Sequence, residues 1–263
     1  MSSCPPEYAS FNPCIVIPVY NHEEAVGKVI ERLNNVSQLP TILVDDGSHA
    51  DCHTVLEQLS HQLDNVSLVT LPHNLGKGGA VKAGLRAAVA QGFSHALQID
   101  ADGQHDADYI GRFLASGREH PEAIICGYPE YDASVPRGRY YARYLTHVWV
   151  WINSLSLTIR DSMCGFRLYP LRATVALLDA EYTGNRMEFD PEIMVRWVWR
   201  DGAVVNLPIK VHYPLDGVSH FLLWRDNALI SRMHTRLFFG MLRRSPRLLW
   251  RKLRGNRQRV VLP

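Results

Sequence analysis

Residues 95–110, HALQIDADGQHDADYI, open as a buried apolar run and close on four acids, Asp100, Asp102, Asp106 and Asp108. In open parallel α/β sheets, ligands bind beyond the carboxyl ends of the strands, and this stretch has the form of such an end. Residues two apart in an extended chain share a side, so Asp100 and Asp102 face one way, and Gln104 joins them if the extension persists. Two carboxylates and an amide oxygen are hard ligands, suited to Mg2+ or Mn2+ with water and substrate phosphates at the remaining positions. A divalent cation there offsets the repulsion between the acids. The competing reading makes Asp100 and Asp102 turn or cap residues, and Asp106 and Asp108 are read simply as acids at a helix start.

Outward from this stretch, CIVIPVY (14–20), TILVDDG, SLVTL and AIICGYP are further short apolar runs at intervals suited to helical crossovers. In GKGGAVKAGLRAAVAQG, Ala80, Val81, Leu85, Ala88 and Val89 paint one stripe of a helix. The alternation predicts the α/β class, with a mostly parallel central sheet covered by helices on both faces. The second half is less regular. A helix is expected from about Arg139 to Leu157, another in FDPEIMVRWVWRDG with Pro191 in its first turn, and a strand in VVNLPIKVHY.

The 263 residues are 46% hydrophobic, enough for a sizeable core, and show no repeat or low-complexity linker. Residues 241–263 carry eight basic groups and no acid, which leaves 28 − 8 = 20 basic against 26 acidic residues in the body. The expected organisation is a catalytic domain over 1–221 and a basic amphipathic helical tail over 222–263. In that tail Leu242, Leu248, Leu249, Trp250 and Leu253 alternate with cations, and Pro246 is expected to begin a second helical segment. Such a segment can lie on an anionic membrane surface; docking on the body and nucleic-acid binding are the alternatives, and the membrane is preferred over nucleic acid. Five cysteines without a CxxC pair suit a reducing compartment. The first residues lack a signal-peptide pattern, and YLTHVWVWINSLSLTI is too short and too polar to span a bilayer. The expected location is cytoplasmic, peripheral at the inner face of the membrane.

Other strand ends are also chemically loaded. Asp45 and Asp46 precede Gly47 and Ser48, and they read either as a turn with Ser48 or Asp51 capping the next helix or as hydrogen-bond acceptors for a base or ribose. Tyr20 offers a flat face to a nucleobase or belongs to the core. Gly76, Gly78 and Gly79 with Lys77 resemble a phosphate loop, but a P-loop needs Gly at Leu71 and Ser or Thr at Gly78, and the dinucleotide fingerprint needs Gly at Val81. The glycines serve either close approach to an anion at a helix N-terminus or tight helix packing.

Together IPVYNHEE, ILVDDGS, HNLGKGGAVKAG and QIDADGQHD, in this order, resemble inverting family-2 glycosyltransferases of GT-A fold, closest to the dolichyl-phosphate mannosyltransferase and polyprenyl-phosphate glycosyltransferase branch. The likeness continues through IRDSMCGFRLYP and more weakly through VVNLPIKVHYPLDGVSHF. It implies nucleoside-binding positions at Pro18, Tyr20, Glu23 or Glu24, and Asp45 or Asp46, with Lys77 and Gly78 near the nucleotide. It implies that Asp100 and Asp102 hold nucleotide-sugar and metal, with Gln104 as a further ligand. Asp161 and Arg167 match the motif bordering the acceptor, and Arg139 and Arg143 sit where the branch places arginines facing phosphate. The implied reaction moves a sugar, with inversion, from a UDP- or GDP-sugar to a polyprenyl phosphate or other lipid acceptor. The branch's Gly-x-Ser-Lys pattern is replaced here by Gly217, Val218, Ser219 and His220, and Cys164 replaces a small hydroxyl residue. A hydroxyl acceptor, soluble or lipid, is therefore the alternative; it would need a base such as Glu188, Asp190 or Glu192. A sugar nucleotidyltransferase would also use paired aspartates, but its glycine-rich loop should follow the first strand, where PVYNHEE has no glycine.

Overall fold

The computed structural model describes residues 11–130, 137–210, 222–253 and 260–261. The sequence-level expectations for Cys4, for the side chains of Arg139 and Arg143, for Gly217–His220, and for Arg254, Arg257 and Arg259 lie outside the described residues. One eight-stranded sheet organises the chain in the order β3-β2-β1-β4-β6-β5-β7-β8. Strands β1 (Pro13–Val19), β2 (Thr41–Asp45), β3 (Val66–Thr70) and β4 (His95–Gln98) are mutually parallel, as are β5 (Ile124–Pro129), β7 (Val204–Ile209) and the two-residue β8 (Val260–Val261). β6 (Arg167–Pro170) is antiparallel to both β4 and β5 and joins the two halves.

Period-two side-chain alternation distributes β1 between two cores. Cys14 and Val16 pack on the side of α3 (Lys77–Ala90), α6 (Leu171–Ala180) and α7 (Phe189–Trp199). Ile15, Ile17 and Val19 pack on the side of α1 (Glu23–Val36), α2 (Ala50–Gln62) and α4 (Ile110–Glu119). α1 shows the cause of such packing: Val26, Val29, Ile30 and Leu33 recur at three- and four-residue steps and are all buried. On α3 the expected stripe holds at Ala80, Val81, Leu85 and Ala88, whereas Val89 is 43% exposed, one step too far round the helix.

Between β1 and β4 the strand order reverses, which opens a crevice at their carboxyl ends. Pro18 helps to open it. The Val16 carbonyl accepts the Ile99 N–H, so the β4 side of β1 is the side to which Pro18, two residues on, directs its missing N–H. β4 pairing accordingly ends at Val16–Gln98, while β1 continues against β2 as far as Val19–Asp45.

The helix expected near 139–157 is α5 (Arg137–Ser154), and the tail from Leu223 to Leu253 is one helix, α8. Pro246 sits inside α8 rather than starting a segment. Its missing N–H would strand the Leu242 carbonyl, and the Ser245 hydroxyl donates to that oxygen at 2.8 Å. Leu248 faces the core with Met233, Leu237 and Met241, so it leaves the outward apolar set. α8 is clamped to α7 by Arg236, which donates to Glu192 at 2.7 Å, and by Arg251, which donates to the Trp199 and Val198 carbonyls. Among the described residues no helix is long and apolar enough to cross a membrane. Cys14, Cys52, Cys126 and Cys164 are buried free thiols.

Candidate active site

The loops after β1 and β2 are tied together at the crevice. Asn21, at φ 53°, donates its N–H to Ser48 Oγ, and its side-chain oxygen accepts the His49 N–H at 3.0 Å. Pro18 and Tyr20 are half-buried beside them, and Glu23 and Glu24 open α1, with Glu23 3.5 Å from His49. α2 is capped by His49, whose ring accepts the Cys52 N–H, rather than by Ser48 or Asp51.

Asp45 and Asp46 are both buried and both committed to the protein. Asp45 accepts the Ser48 N–H at 2.8 Å and pairs with His53 at 2.8 Å. Asp46 accepts the Leu75 and Gly76 N–H groups at 2.7 and 2.9 Å and the Asn74 amide at 3.0 Å, so it fixes the loop leading into α3. Burial raises the Asp46 pKa, against those backbone donors, which lower it.

Asp100 and Asp102 follow β4, but not in extended chain. Residues 101–102 form a turn, Gly103 adopts φ 71°, and Asp102 accepts the Gln104 N–H at 3.0 Å. The extension therefore stops before Gln104, whose backbone, not its amide, meets Asp102. Lys77 reaches across from the start of α3 and donates to Asp100 at 2.9 Å, while also lying 3.1 Å from Asp190 at the start of α7. His105 stands 3.5 Å from the same Asp100 oxygen, its ring stacked on Phe166. Burial would raise the Asp100 pKa, but Lys77 and His105 together hold it well below the usual carboxylate range. Burial and the charge of Asp100 raise that of Asp102. Lys77 is held above its ordinary value by Asp100 and Asp190, against burial, which opposes its charge.

The cluster thus has an internal cation, and it still has spare coordination. Asp100 Oδ1 is buried without a hydrogen-bond partner. Gly165 is required beside it, since a β-carbon there would lie 2.6 Å from that oxygen. Among the described residues no group of three or more His, Cys, Asp or Glu could hold a metal by itself. A pair of carboxylates with one unused oxygen nonetheless fits a hard cation that takes its other ligands from water and a diphosphate.

The glycine loop is filled from within. Gly76 N–H serves Asp46, Gly79 N–H donates to the Asn185 carbonyl, and a β-carbon on Gly78 would lie 2.3 Å from Phe189 Cβ. Tight packing accounts for Gly78, and segment 183–189, which also accepts hydrogen bonds from Lys82, holds the start of α3 in place. Asp161 accepts the Met163 and Cys164 N–H groups, both at 2.8 Å, and lies 3.4 Å from His147 of α5. Arg167 is fully buried and donates to the Asp190 and Ser162 carbonyls.

The crevice brings Lys77, Asp100, Asp102 and Asp190 together, and Asp45 and Asp46 line its β2 side. His105 and His147 carry no sequence-level expectation. His105 lies off the two-residue alternation because of the turn at Gly103, and His147 is hidden in an aromatic run. Of the three candidate bases, Glu192 is locked by Arg196, Arg236 and the Gly184 N–H, Asp190 pairs with Lys77, and Glu188 is folded against Gly184.

Residues 14–173 match the family model described as glycosyl transferase family 2. A UDP-N-acetylglucosamine–dolichyl-phosphate N-acetylglucosaminyltransferase of Methanococcus voltae is 31% identical over 216 residues, 76% of this chain and 85% of that protein. A dolichyl-phosphate beta-glucosyltransferase of Trichomonas vaginalis is 29% identical over 211 residues, 73% of this chain and 62% of that protein. The chain thus spans only 62% of that relative and 61% of the mouse dolichyl-phosphate beta-glucosyltransferase. Among solved structures, glucosyl-3-phosphoglycerate synthase of Mycobacterium tuberculosis with Mn2+ and UDP-glucose superposes with a TM-score of 0.61 at 15% identity, covering 88% of this chain and 79% of that one. That likeness establishes the GT-A-like fold and leaves the chemistry to the residues.

Proposed function

The chain belongs to glycosyl transferase family 2, and from that membership and the crevice we propose that it moves a sugar from a nucleoside-diphosphate-sugar to a polyprenyl-phosphate acceptor at a membrane surface. The observation that carries the reading is the Asp100–Asp102 pair at the reversal of strand order, with one Asp100 oxygen buried and unused. The names of the relatives support the choice of acceptor.

Asp100 and Asp102, with Gln104 beside them, would hold Mg2+ or Mn2+, which when bound neutralises charge growing on the leaving diphosphate. Tyr20, Glu23 and Glu24 are assigned to the nucleoside side, and Asp45 and Asp46, each held by the protein's own donors, to the loops that frame that side. Lys77 supplies a fixed positive charge beside the reacting centre without any reorganisation. Arg167 is a positioning residue: it holds the backbone of Asp190 and Ser162, and thereby the Lys77–Asp190 pair and the turn carrying Asp161.

A phosphate acceptor enters already anionic and needs no protein base. The commitment of Asp190 and Glu192 to cations supports that acceptor over a hydroxyl. Incubation of the full chain with Mn2+, UDP- or GDP-sugars and a short-chain, water-soluble polyprenyl phosphate should give a sugar-phosphate product that chelator abolishes. Glycosylation of hydroxyl acceptors alone would overturn the acceptor assignment, and formation of a nucleotide-sugar with release of pyrophosphate from a nucleoside triphosphate and a sugar 1-phosphate, supplied in a parallel incubation, would point to a nucleotidyltransferase.

A further inference from the structure

The exposed large apolar side chains of the described residues are concentrated on α5 and α8. On α5, Leu145, Trp149 and Ile152 follow the four-three spacing of one helical stripe and all face outward, Leu145 at 60% exposure. On α8, Phe239, Leu242, Leu249 and Leu253 continue the same three-four rhythm through exposed Pro246, and Leu253 is 86% exposed. Residues on an α-helix advance by about 100° each, so this stripe lies on the side of α8 opposite Leu237, Met241 and Leu248, which face the core. Half-buried Phe238 links the two stripes: its ring stands 6.3 Å from that of Trp149 and 6.0 Å from that of Phe239, edge to face in both cases.

Charge on α8 is sorted the same way. Arg236 and Arg251 turn inward to Glu192 and Asp201, whereas Arg232, Arg243, Arg247 and Lys252 are exposed and make no ion pair among the described residues. After Asp226, itself buried where it accepts the Leu222 N–H, α8 contains no acid. Phe239 and Leu242 are thus bordered by unpaired cations on one flank and by the α5 stripe on the other. A second copy of the chain would set those cations against one another, because α8 offers no acid to receive them. An anionic bilayer surface matches both halves, apolar groups entering the acyl boundary and cations meeting headgroups.

We infer that α5 and α8 together form one docking face for anionic membrane. The inference rests on the lipid-acceptor reading for its use and adds α5 to a surface that the basic tail alone would not supply. α5 also ties the face to the site: its inward residue His147 lies 3.4 Å from Asp161, so the helix that meets the bilayer is the one that backs the acceptor side.

The test is co-sedimentation of the full chain with phosphatidylcholine vesicles with and without phosphatidylglycerol, together with sedimentation velocity and transfer to a short-chain, water-soluble polyprenyl phosphate. Wild type should partition onto the anionic vesicles at least tenfold better than onto neutral ones, as a monomer in their absence. Leu145→Glu/Trp149→Glu on α5 and Arg243→Glu/Arg247→Glu on α8 should each lower that partition at least tenfold, with melting temperature and transfer to the soluble acceptor retained. Full binding by the α5 variant would overturn the two-helix face. A wild-type dimer that the α5 variant dissociates, without vesicle binding, would make the face a subunit contact. Transfer by a wild type that ignores vesicles sinks this inference alone; vesicle binding without transfer to any phosphate acceptor sinks the functional reading and spares the face.

Discussion

Two pairs of aspartates end the two parallel strands that flank β1 in the sheet, and they differ in what holds them. Asp45 and Asp46, after β2, receive three backbone N–H groups, an amide and an imidazole from the protein. Asp100 and Asp102, after β4, receive one backbone N–H; their charge is met by Lys77 and His105, and one buried oxygen receives nothing. Backbone donors are fixed in place and make a carboxylate part of the architecture. Lys77 divides its charge between Asp100 and Asp190, and the unused Asp100 oxygen is still able to receive a cation. The comparison separates acids that build the crevice from acids that act in it.

The largest effect should come from Asp102→Asn. Removing one charged ligand should lower kcat by about 10²–10³-fold, roughly 3–4 kcal/mol in the barrier, while the melting temperature is unchanged. Steady-state transfer assays and calorimetric scans check both halves, and a fall in melting temperature of the size expected for Asp46 would erase the distinction between the pairs.

Lys77→Met sharpens it. The substitution leaves Asp100 and Asp190 without their shared cation, which should cost about 3 kcal/mol in chelator because buried charges are left uncompensated. If a divalent ion can take over that duty, Mn2+ should restore more stability to the variant than to wild type in parallel urea titrations. Equal responses would mean that Lys77 and the metal do not share Asp100.

Asp46→Ala should show the opposite profile: a stability loss of about 2–3 kcal/mol as the Leu75 and Gly76 N–H groups lose their acceptor, with metal binding retained by the folded fraction.

The smallest effect is a pH dependence at the first pair. Asp45 raises the His53 pKa above its ordinary 6.5. The pair's contribution is therefore fully present below the unfolded value and is lost as pH rises through the folded one. His53→Gln should flatten that part of the melting-temperature change between about pH 6 and pH 8. An unaltered profile would place the pH dependence elsewhere.

Much of this was legible in the residues, and the failures have definite causes. Apolar runs with helical spacings between them marked β1 to β5 and β7. β6 is not legible because its four residues, RLYP, begin with an arginine, and that arginine is buried against the carbonyls of Ser162, five residues back, and of Asp190, which the fold brings in from the start of α7. The Asp100–Asp102 pair was legible as a charged strand end, but its geometry was not: Gly103 takes a left-handed turn where alternation assumed an extended chain. The glycines at 76, 78 and 79 read equally as an anion loop or as packing; Phe189, over a hundred residues away, decides for packing at Gly78, and at Gly79 the N–H is taken by the Asn185 carbonyl while Leu75 fills the space of a β-carbon. Pro246 marked a break by its backbone chemistry, yet Ser245, its neighbour, repairs the exposed carbonyl.

Isothermal titration of Mn2+ and UDP- or GDP-sugar into wild type and Asp102→Asn, with Asp46→Asn as a folded reference, tests the division between the two pairs most directly. Metal-dependent nucleotide-sugar binding should be present in wild type, lost in Asp102→Asn and retained in Asp46→Asn at temperatures where that variant is folded. Undiminished binding by Asp102→Asn, or its loss in folded Asp46→Asn alone, would contradict the account.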